Sequence, residues 1–552
     1  MTWQNRFSPA GRYAAALGLS ALMLLLSGLA GAAEIAALET GQLMVDNVET
    51  IIAQAVTQAK HDKVEVVVAV TDREGVVLGV WAMNPPPPPP KFLPSADDLF
   101  GIFAPSATQE DVAIQKARTA AFLSSDQNAF STRTALQIVG SHFPPNIDNA
   151  PPGPLFGLPM SSLPCGDVQK NGSGLTGAFG GIPLYLKGKI AGGIGIDGVQ
   201  VLKKGQPMPT ENVGEDEVIA IAGTRGFAAP SSITANNLLV NGFRFDWIGS
   251  RLPNALKVTP FTILPGMEDH AYETPPWHMI IDGSPPPTET IEAGVPGAWR
   301  VDPISSTVSN LSAEDVVKMV DQSLEQEKIT RAAIRLPVGI PARMQVGVTD
   351  TAGTVLGLFR TNDATMFSLD IVIQKGRTVT SFSNPDDPSD LGMRLRESLH
   401  LSQSAPLAVT SRTLEFLAQP FYPPGITGTT PGPFFCNNFA EPPPVPPAKK
   451  MGLKPAAVLG FCLQQQFYFG PPSQSCFPSG NGITLFPGST PLYKDGVLVG
   501  GLGSSGDGVD QDDFVASGGS AGFEAPAAIR ADQVVVQGVR LPYLKFPSNP
   551  TN

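Results

Sequence analysis

Apolar residues between positions 45 and 59 recur every three or four places. Val45, Val48, Ile51, Ile52, Ala55, Val56 and Ala59 fall on one face of a helix. A continuous β-branched run follows at 64–71, then Asp72-Arg73-Glu74-Gly75, then a second apolar run at 76–81. Strand, turn signal and strand make a hairpin, with Gly75 supplying the positive φ that the turn needs. Val112, Ala113, Lys116, Ala117 and Ala120 predict a closely packed helix of small residues. After a connecting region, 183–186 and 189–196 read as a second hairpin. Glu215-Asp216-Glu217 then opens a third helix, where acids suit the N-terminal turn. An apolar run at 238–240 closes the unit.

The same order is written again further along. A helix starts at Ser312, a good N-cap with Asp315 in the capping-box position. A hairpin follows (344–350, then 354–359), then a helix over 371–379 and a hairpin over 492–502. Asp510, Asp512 and Asp513 open the last helix, and 534–536 is apolar. The spellings agree too: VEVVVAVTD with MQVGVTD, QKART with QKGRT, TRT with SRT, IPLYLKGKIAGGIG with TPLYKDGVLVGGLG, and ITANNLLVNG with IRADQVVVQG. The period is far longer than the roughly 20–50 residues of a solenoid unit, so these are duplicated domains.

Helix, hairpin, helix, hairpin, helix in each copy predicts an α+β fold, an antiparallel sheet packed with helices. Hairpins rather than crossovers join the strands, which disfavours a parallel doubly wound sheet. The expected organisation is a leader at 1–32, a first domain at 33–249, a Pro-rich linker at 250–305 and a second domain at 306–552. Pro/Gly-rich insertions fall at 84–110, 140–180 and 420–480, and Pro85–Pro90 reads as an exposed polyproline spur.

Composition adds three points. Charged residues are only 16%, below the usual ~25%, while 57 Gly and 55 Pro predict long loops. Arg6 and Arg12, the apolar stretch 14–29 and Ala30-Gly31-Ala32 read as a cleavable secretory signal. The expected location is therefore periplasmic or secreted, with no stable membrane insertion after cleavage. The net charge of −12, without a basic run, argues against nucleic acid as a partner. Export permits disulfides, and one bridge among Cys436, Cys462 and Cys476 is expected, with its connectivity open. No CxxC or CxxCH occurs, so neither a thioredoxin-type couple nor covalent haem is signalled.

Taken together, the Val-Thr-Asp-x-x-Gly turns, the Lys-x-x-Thr helices, the Pro-Leu-Tyr hairpins with Gly-Gly-x-Gly, and the acidic helices ending at Gly223 and Gly519 resemble the GlcG/HbpS-like haem-binding family. The resemblance covers roughly 34–230 and 306–525. It implies two profilin-like domains, homo-oligomerisation, and binding of haem or a related tetrapyrrole as in some members. Members are usually one short domain; here two fused copies suggest an internal pseudo-dimer. The expected function is a non-enzymatic, exported haem-binding protein acting in capture, sensing or storage. The alternatives are an interaction module that keeps the fold without a ligand, or an accessory protein holding a small hydroxy acid.

The candidate cofactor-binding residues follow from the repeat. Lys116 with Thr119, and Lys375 with Thr378, lie three apart on one helix face. They could meet a haem propionate, or serve as a structural lysine and a threonine bonded back to the helix. Arg133 and Arg412 recur and match carboxylate geometry, for a propionate, an organic acid or an internal salt bridge. Arg118 and Arg377 recur in the same way. Tyr185 and Tyr493 could ligate ferric iron or simply pack. His142 is the one histidine considered as an axial ligand; no histidine recurs between copies. His270 and His278, near Glu268 and Asp269, are a weak metal candidate. The Gly-Gly-x-Gly runs lie inside a hairpin, so they fit close backbone packing rather than phosphate binding.

Overall fold

The computed structural model describes residues 42–83, 108–139, 143–144, 153–155, 175–198, 214–240, 242–270, 301–419, 421–424, 426, 428–430, 432–433 and 484–546. The leader, the proline spur, most of the three insertions, all four cysteines, His142 and His278 lie outside these residues.

The first half runs α1 (Val45–Asp62), β1 (Val67–Asp72), β2 (Val77–Ala82), α2 (Gln109–Phe122), α3 (Thr132–Val139), β3 (Gly181–Leu186), β4 (Lys189–Asp197), α4 (Glu215–Gly223), the short pair β5 (Leu239–Val240) and β6 (Phe243–Arg244), and β7 (Met267–His270). The second runs α5 (Ala313–Ile329), β8 (Gln345–Asp350), β9 (Val355–Arg360), α6 (Ser368–Ser383), α7 (Leu391–Ser398), α8 (Ser411–Leu417), β10 (Ser489–Lys494), β11 (Val497–Ser505), α9 (Val509–Gly519), and the pair β12 (Val535–Val536) and β13 (Val539–Arg540). Strand order is β3-β4-β1-β2 in one sheet and β10-β11-β8-β9 in the other, every pairing antiparallel. The α+β class expected from the sequence is therefore present twice.

Each sheet is covered on both faces because its strands are apolar on both. Val66, Val68, Val70, Ile194 and Ile196 point towards α1 and α4, into a core with Ile51, Ile52, Ala55 and Ile219. Val67, Ala69, Val80 and Ala82 point the other way, towards Ala113 and Ile114 of α2. The glycines of β4 explain how closely α2 can sit. A Cβ at Gly193 or Gly195 would land on the carbonyl oxygen of Ala117 or Ala113. In the second half, Gly501 and Gly503 face the carbonyls of Gly376 and Val372 in the same way. Close backbone packing, not a phosphate loop, is what these glycines allow.

The structure adds elements that periodicity does not show. α3 and α8 are short helices inside the region read as a connection. Among the described residues α7 has no counterpart in the first half; on it Arg396 is fully buried and donates to five backbone carbonyls. Residues 250–270, placed in the linker by composition, run along the first half and add β7 as a fifth strand beside β2.

The halves share a core. Phe122, Leu123 and Phe130 of the first cluster with Met366, Phe367 and Leu369 of the second. Phe367 N donates to Phe122 O at 3.3 Å, and Leu336 N to Gln127 O at 2.9 Å. Arg335 is fully buried at this seam. It pairs with Asp507 and Asp363 and donates to Ser125 Oγ at 3.0 Å. Asp363 also accepts from Arg73 at 3.0 Å and from the Asp126 amide at 2.9 Å. Burial raises the Asp363 pKa and the two arginines lower it; the net shift is downward, so the carboxylate stays charged. Among the described residues, no helix is long and apolar enough to cross a membrane.

Candidate functional site

The repeated polar residues gather, in each half, between α2 or α6, the end of β4 or β11, and the start of α4 or α9. Lys116 projects from α2 under the sheet. Its Nζ donates to Ile196 O at 2.7 Å, Asp197 Oδ1 at 2.8 Å and Asp216 Oδ2 at 3.0 Å. Lys375 repeats this from α6, donating to Ser504 O at 2.7 Å and Asp512 Oδ2 at 2.8 Å. The counterpart of Asp197 is Ser505, whose Oγ has no hydrogen-bond partner among the described residues. One lysine thus has two carboxylates and the other has one.

That single difference reverses the electrostatics. Burial lowers both lysine pKa values. A carboxylate about 3 Å away is worth roughly 5 kcal/mol at an effective dielectric near 20, against a desolvation cost of several kcal/mol. Two carboxylates outweigh burial, and Lys116 is raised above the ordinary lysine value. The one paired carboxylate, even with the added pull of Asp513 and Glu415, does not, and Lys375 is lowered. Its partner Asp512 is pushed up to about 7, burial again being the main cause.

The arginines are equally occupied. Arg133 makes two parallel bonds to Glu217, Nε to Oε1 and Nη2 to Oε2, both 2.9 Å, and lies 3.9 Å from the Phe179 ring centre. Arg412 pairs with Asp513, and with Asp510 at 2.8 Å. Glu217 and Asp513 also accept the amides of Gly249 and Lys545, at 2.9 and 3.0 Å, so each pair pins the strap that follows its domain. Arg118 and Arg377 donate to the carbonyls of Gly75 and Gly353, at 2.8 and 2.7 Å, bracing the two hairpin turns.

Thr119 bonds back to Gln115 O at 2.8 Å and accepts the Thr176 amide at 2.8 Å. Thr378 accepts the Thr484 amide at 2.9 Å. Tyr185 is buried, its hydroxyl bonded to the carbonyls of Ser125 and Asn128 at 2.8 Å each. Tyr493 is buried in the second core, and burial, opposed by Arg396, pushes its pKa up to about 12. The structure therefore brings Lys116 and Arg133 to one helix start, and Lys375 and Arg412 to the other. The threonines and tyrosines are placed elsewhere.

These eight residues do not fit a haem as they stand: each described polar head is turned into the protein. The other polar alternatives, structural lysine, back-bonded threonine, internal salt bridge and packed tyrosine, describe the observed contacts. His61 pairs with Asp62 at 2.9 Å, and His400 takes a left-handed backbone conformation with φ of 57°. Among the described residues no cluster of three His, Cys, Asp or Glu side chains could hold a metal. The residues that sequence reasoning missed are Asp216, Glu217, Asp512 and Asp513. Their register was visible, two acids opening the same helix in both copies, beside a Lys and an Arg that also recur. They read as N-terminal helix charges, yet they are buried partners.

No protein-family model matches the chain, and no curated protein matches it in sequence. Two solved structures are similar in part. One is titled a PduOC:heme complex (17% identity, TM-score 0.22), covering 40% of this chain and 98% of that one. The other is Klebsiella pneumoniae protein ORFY, described with the DUF336 family model (18% identity, TM-score 0.22), covering 34% of this chain and 94% of that one. At that TM-score neither decides the ligand of this chain.

Proposed function

We propose that the chain is a non-enzymatic binding protein of the GlcG/HbpS-like kind, exported on its N-terminal pattern, with haem or a related tetrapyrrole as its ligand. The supporting observation is the duplicated framework. The motifs that carry the resemblance take the same place in both halves, with the lysine on a strand-end carbonyl, the arginine on the acidic start of the last helix, the aspartate in its turn and the glycines under a helix. In this reading the motifs mark the fold. The tetrapyrrole is held by surfaces other than the eight occupied residues, and no step of its chemistry is assigned to them.

The burial of those same residues favours a second reading, an interaction module that keeps the fold without a tetrapyrrole. Haemin titration of the full chain separates the two. The first reading expects a red-shifted Soret band that saturates at one or two equivalents and survives Lys116→Met. A flat titration, or a linear rise without saturation, removes the first and leaves the second.

A further inference from the structure

The two halves differ at the strap that crosses α3 or α8. In the first half the strap is zipped to the helix. Gln137 Nε2 donates to Asp246 Oδ2 at 2.7 Å, and the Asp246 amide donates to Gln137 Oε1 at 2.8 Å. The threonine contacts fix the equivalences: Thr134 Oγ1 bonds Asp246 O, as Thr413 Oγ1 bonds Pro542 O. Phe416 therefore stands where Gln137 is, and Pro542 where Asp246 is. Proline has neither the amide nor the side-chain acceptor, so both zipper bonds are lost. Glu415 also replaces Leu136, and Lys545 and Phe546 replace Gly249 and Ser250.

A cleft of about 490 Å³ occupies this place in the second half. Arg412, Glu415 and Phe416 line it from α8, at helical spacing that puts them on one face. Leu541, Tyr543, Leu544 and Phe546 line it from the strap, with Arg540 and Lys545. Most charges here are already matched. Arg412 has Asp513 and Asp510, Lys545 has Asp510, and Arg530 has Asp532. Arg540 is 72% exposed and only 4.0 Å from Asp532. Glu415 is the exception, for its half-buried carboxylate makes no hydrogen bond or ion pair among the described residues. Burial raises its pKa to about 7, against the pull of Arg412 and Lys375 and with the push of Asp513 and Asp510.

We propose that this cleft binds a primary amine carried on an apolar or aromatic body. The ammonium meets Glu415, the one carboxylate in the cleft without a partner among the described residues. The apolar body lies against Phe416, Tyr543 and Phe546. Arg540, at the solvent edge, accommodates a carboxylate if the amine carries one. This site is separate from the proposed tetrapyrrole function and does not depend on it.

Calorimetric titration of the full chain with phenethylamine, phenylalanine and 3-phenylpropionate tests the assignment. Both amines should bind saturably, and the acid, lacking the ammonium, at least tenfold more weakly. Near pH 6.5 amine binding should release a proton from Glu415, so its heat should vary with the ionisation enthalpy of the buffer. Glu415→Gln should weaken the amines at least tenfold. Phe416→Gln with Pro542→Asp should rebuild the zipper, close the cleft and abolish binding in a folded protein. Binding of the acid as tight as the amine, no binding of either amine, or indifference to both variants would overturn the proposal.

Discussion

Lys116 and Lys375 occupy the same place in two copies of one domain, and they sit on opposite sides of an electrostatic balance. Both are fully buried and both donate to the last carbonyls of their central strand. The first is paired with Asp197 and Asp216; among the described residues the second is paired with Asp512 and feels Asp513 and Glu415 more weakly, because Ser505 stands where Asp197 does. A buried ammonium costs several kcal/mol to desolvate, and one carboxylate roughly repays that while two exceed it. The lesson is that a duplicated motif can keep its geometry while its energetics change sign. The first site holds a charged lysine firmly; in the second, both partners are pushed towards their neutral forms.

The largest expected effect breaks this comparison directly. Lys116→Met leaves two buried carboxylates facing each other, and should cost about 3–5 kcal/mol. Lys375→Met leaves one, and Asp512, already raised to about 7, can take up a proton instead. That variant should cost about 1–2 kcal/mol, the price of an unsatisfied neutral polar group. Urea midpoints of the full-length variants at pH 7, followed by far-UV circular dichroism and tryptophan fluorescence, give the two losses. Equal losses would show that the second carboxylate does not matter.

Exchanging the differing residue sharpens the point. Asp197→Ser should cost about 1–3 kcal/mol, and Ser505→Asp should give Lys375 a second partner. The pH profile carries the sign. Lys116 is raised in the folded state, so its contribution is fully present below the unfolded lysine value of about 10.4 and is lost as pH climbs through the folded value. Lys375 is lowered, so it behaves oppositely: folding gains as pH rises from its folded value towards about 10.4. Ser505→Asp should turn that gain into a loss, seen by comparing urea midpoints at pH 8 and in the alkaline range. An unchanged alkaline profile would place the difference outside Asp197 and Ser505.

The framework was legible from sequence because it rests on local chemistry. Periodicity marked α1, Asp72 and Gly75 marked the first turn, and the glycines of β4 marked a strand under a helix. Repetition then confirmed each element against its copy. The site was less legible, for two physical reasons. Charge pairing is a long-range property: Lys116 meets Asp216 across 100 residues and Arg133 meets Glu217 across 84. The acids at the start of α4 also satisfied a simpler local explanation, the helix dipole, which hid their inward role. α3 and α8 stayed hidden because each is only two turns long. The seam at Arg335 had no signal at all, since Arg335, Asp363 and Asp507 repeat nowhere in the first half's motifs.

The smallest effect concerns the hairpin turns. Asp72 Oδ1 accepts the amides of Glu74 and Val76 at 2.8 and 2.9 Å, and Asp350 Oδ1 those of Ala352 and Thr354 at 3.0 and 2.9 Å. The turns differ at the second oxygen, because Asp350 Oδ2 also accepts Ser306 Oγ at 2.8 Å. An asparagine keeps the first acceptor but offers an amide group where Asp350 has its second, so Asp350→Asn should cost about 1 kcal/mol. Asp72→Asn should stay within about 0.5 kcal/mol at pH 7. Burial and the neighbouring Glu74 raise the Asp72 pKa to about 8, so the folded state prefers its protonated form. Its contribution to stability therefore falls as pH rises from about 4 towards about 8, and Asp72→Asn should flatten that slope. Urea midpoints at pH 5, 6, 7 and 8 read it out. A slope that persists in Asp72→Asn, or one that disappears in Asp350→Asn instead, would mean the two turns do not differ in the way their second oxygens indicate.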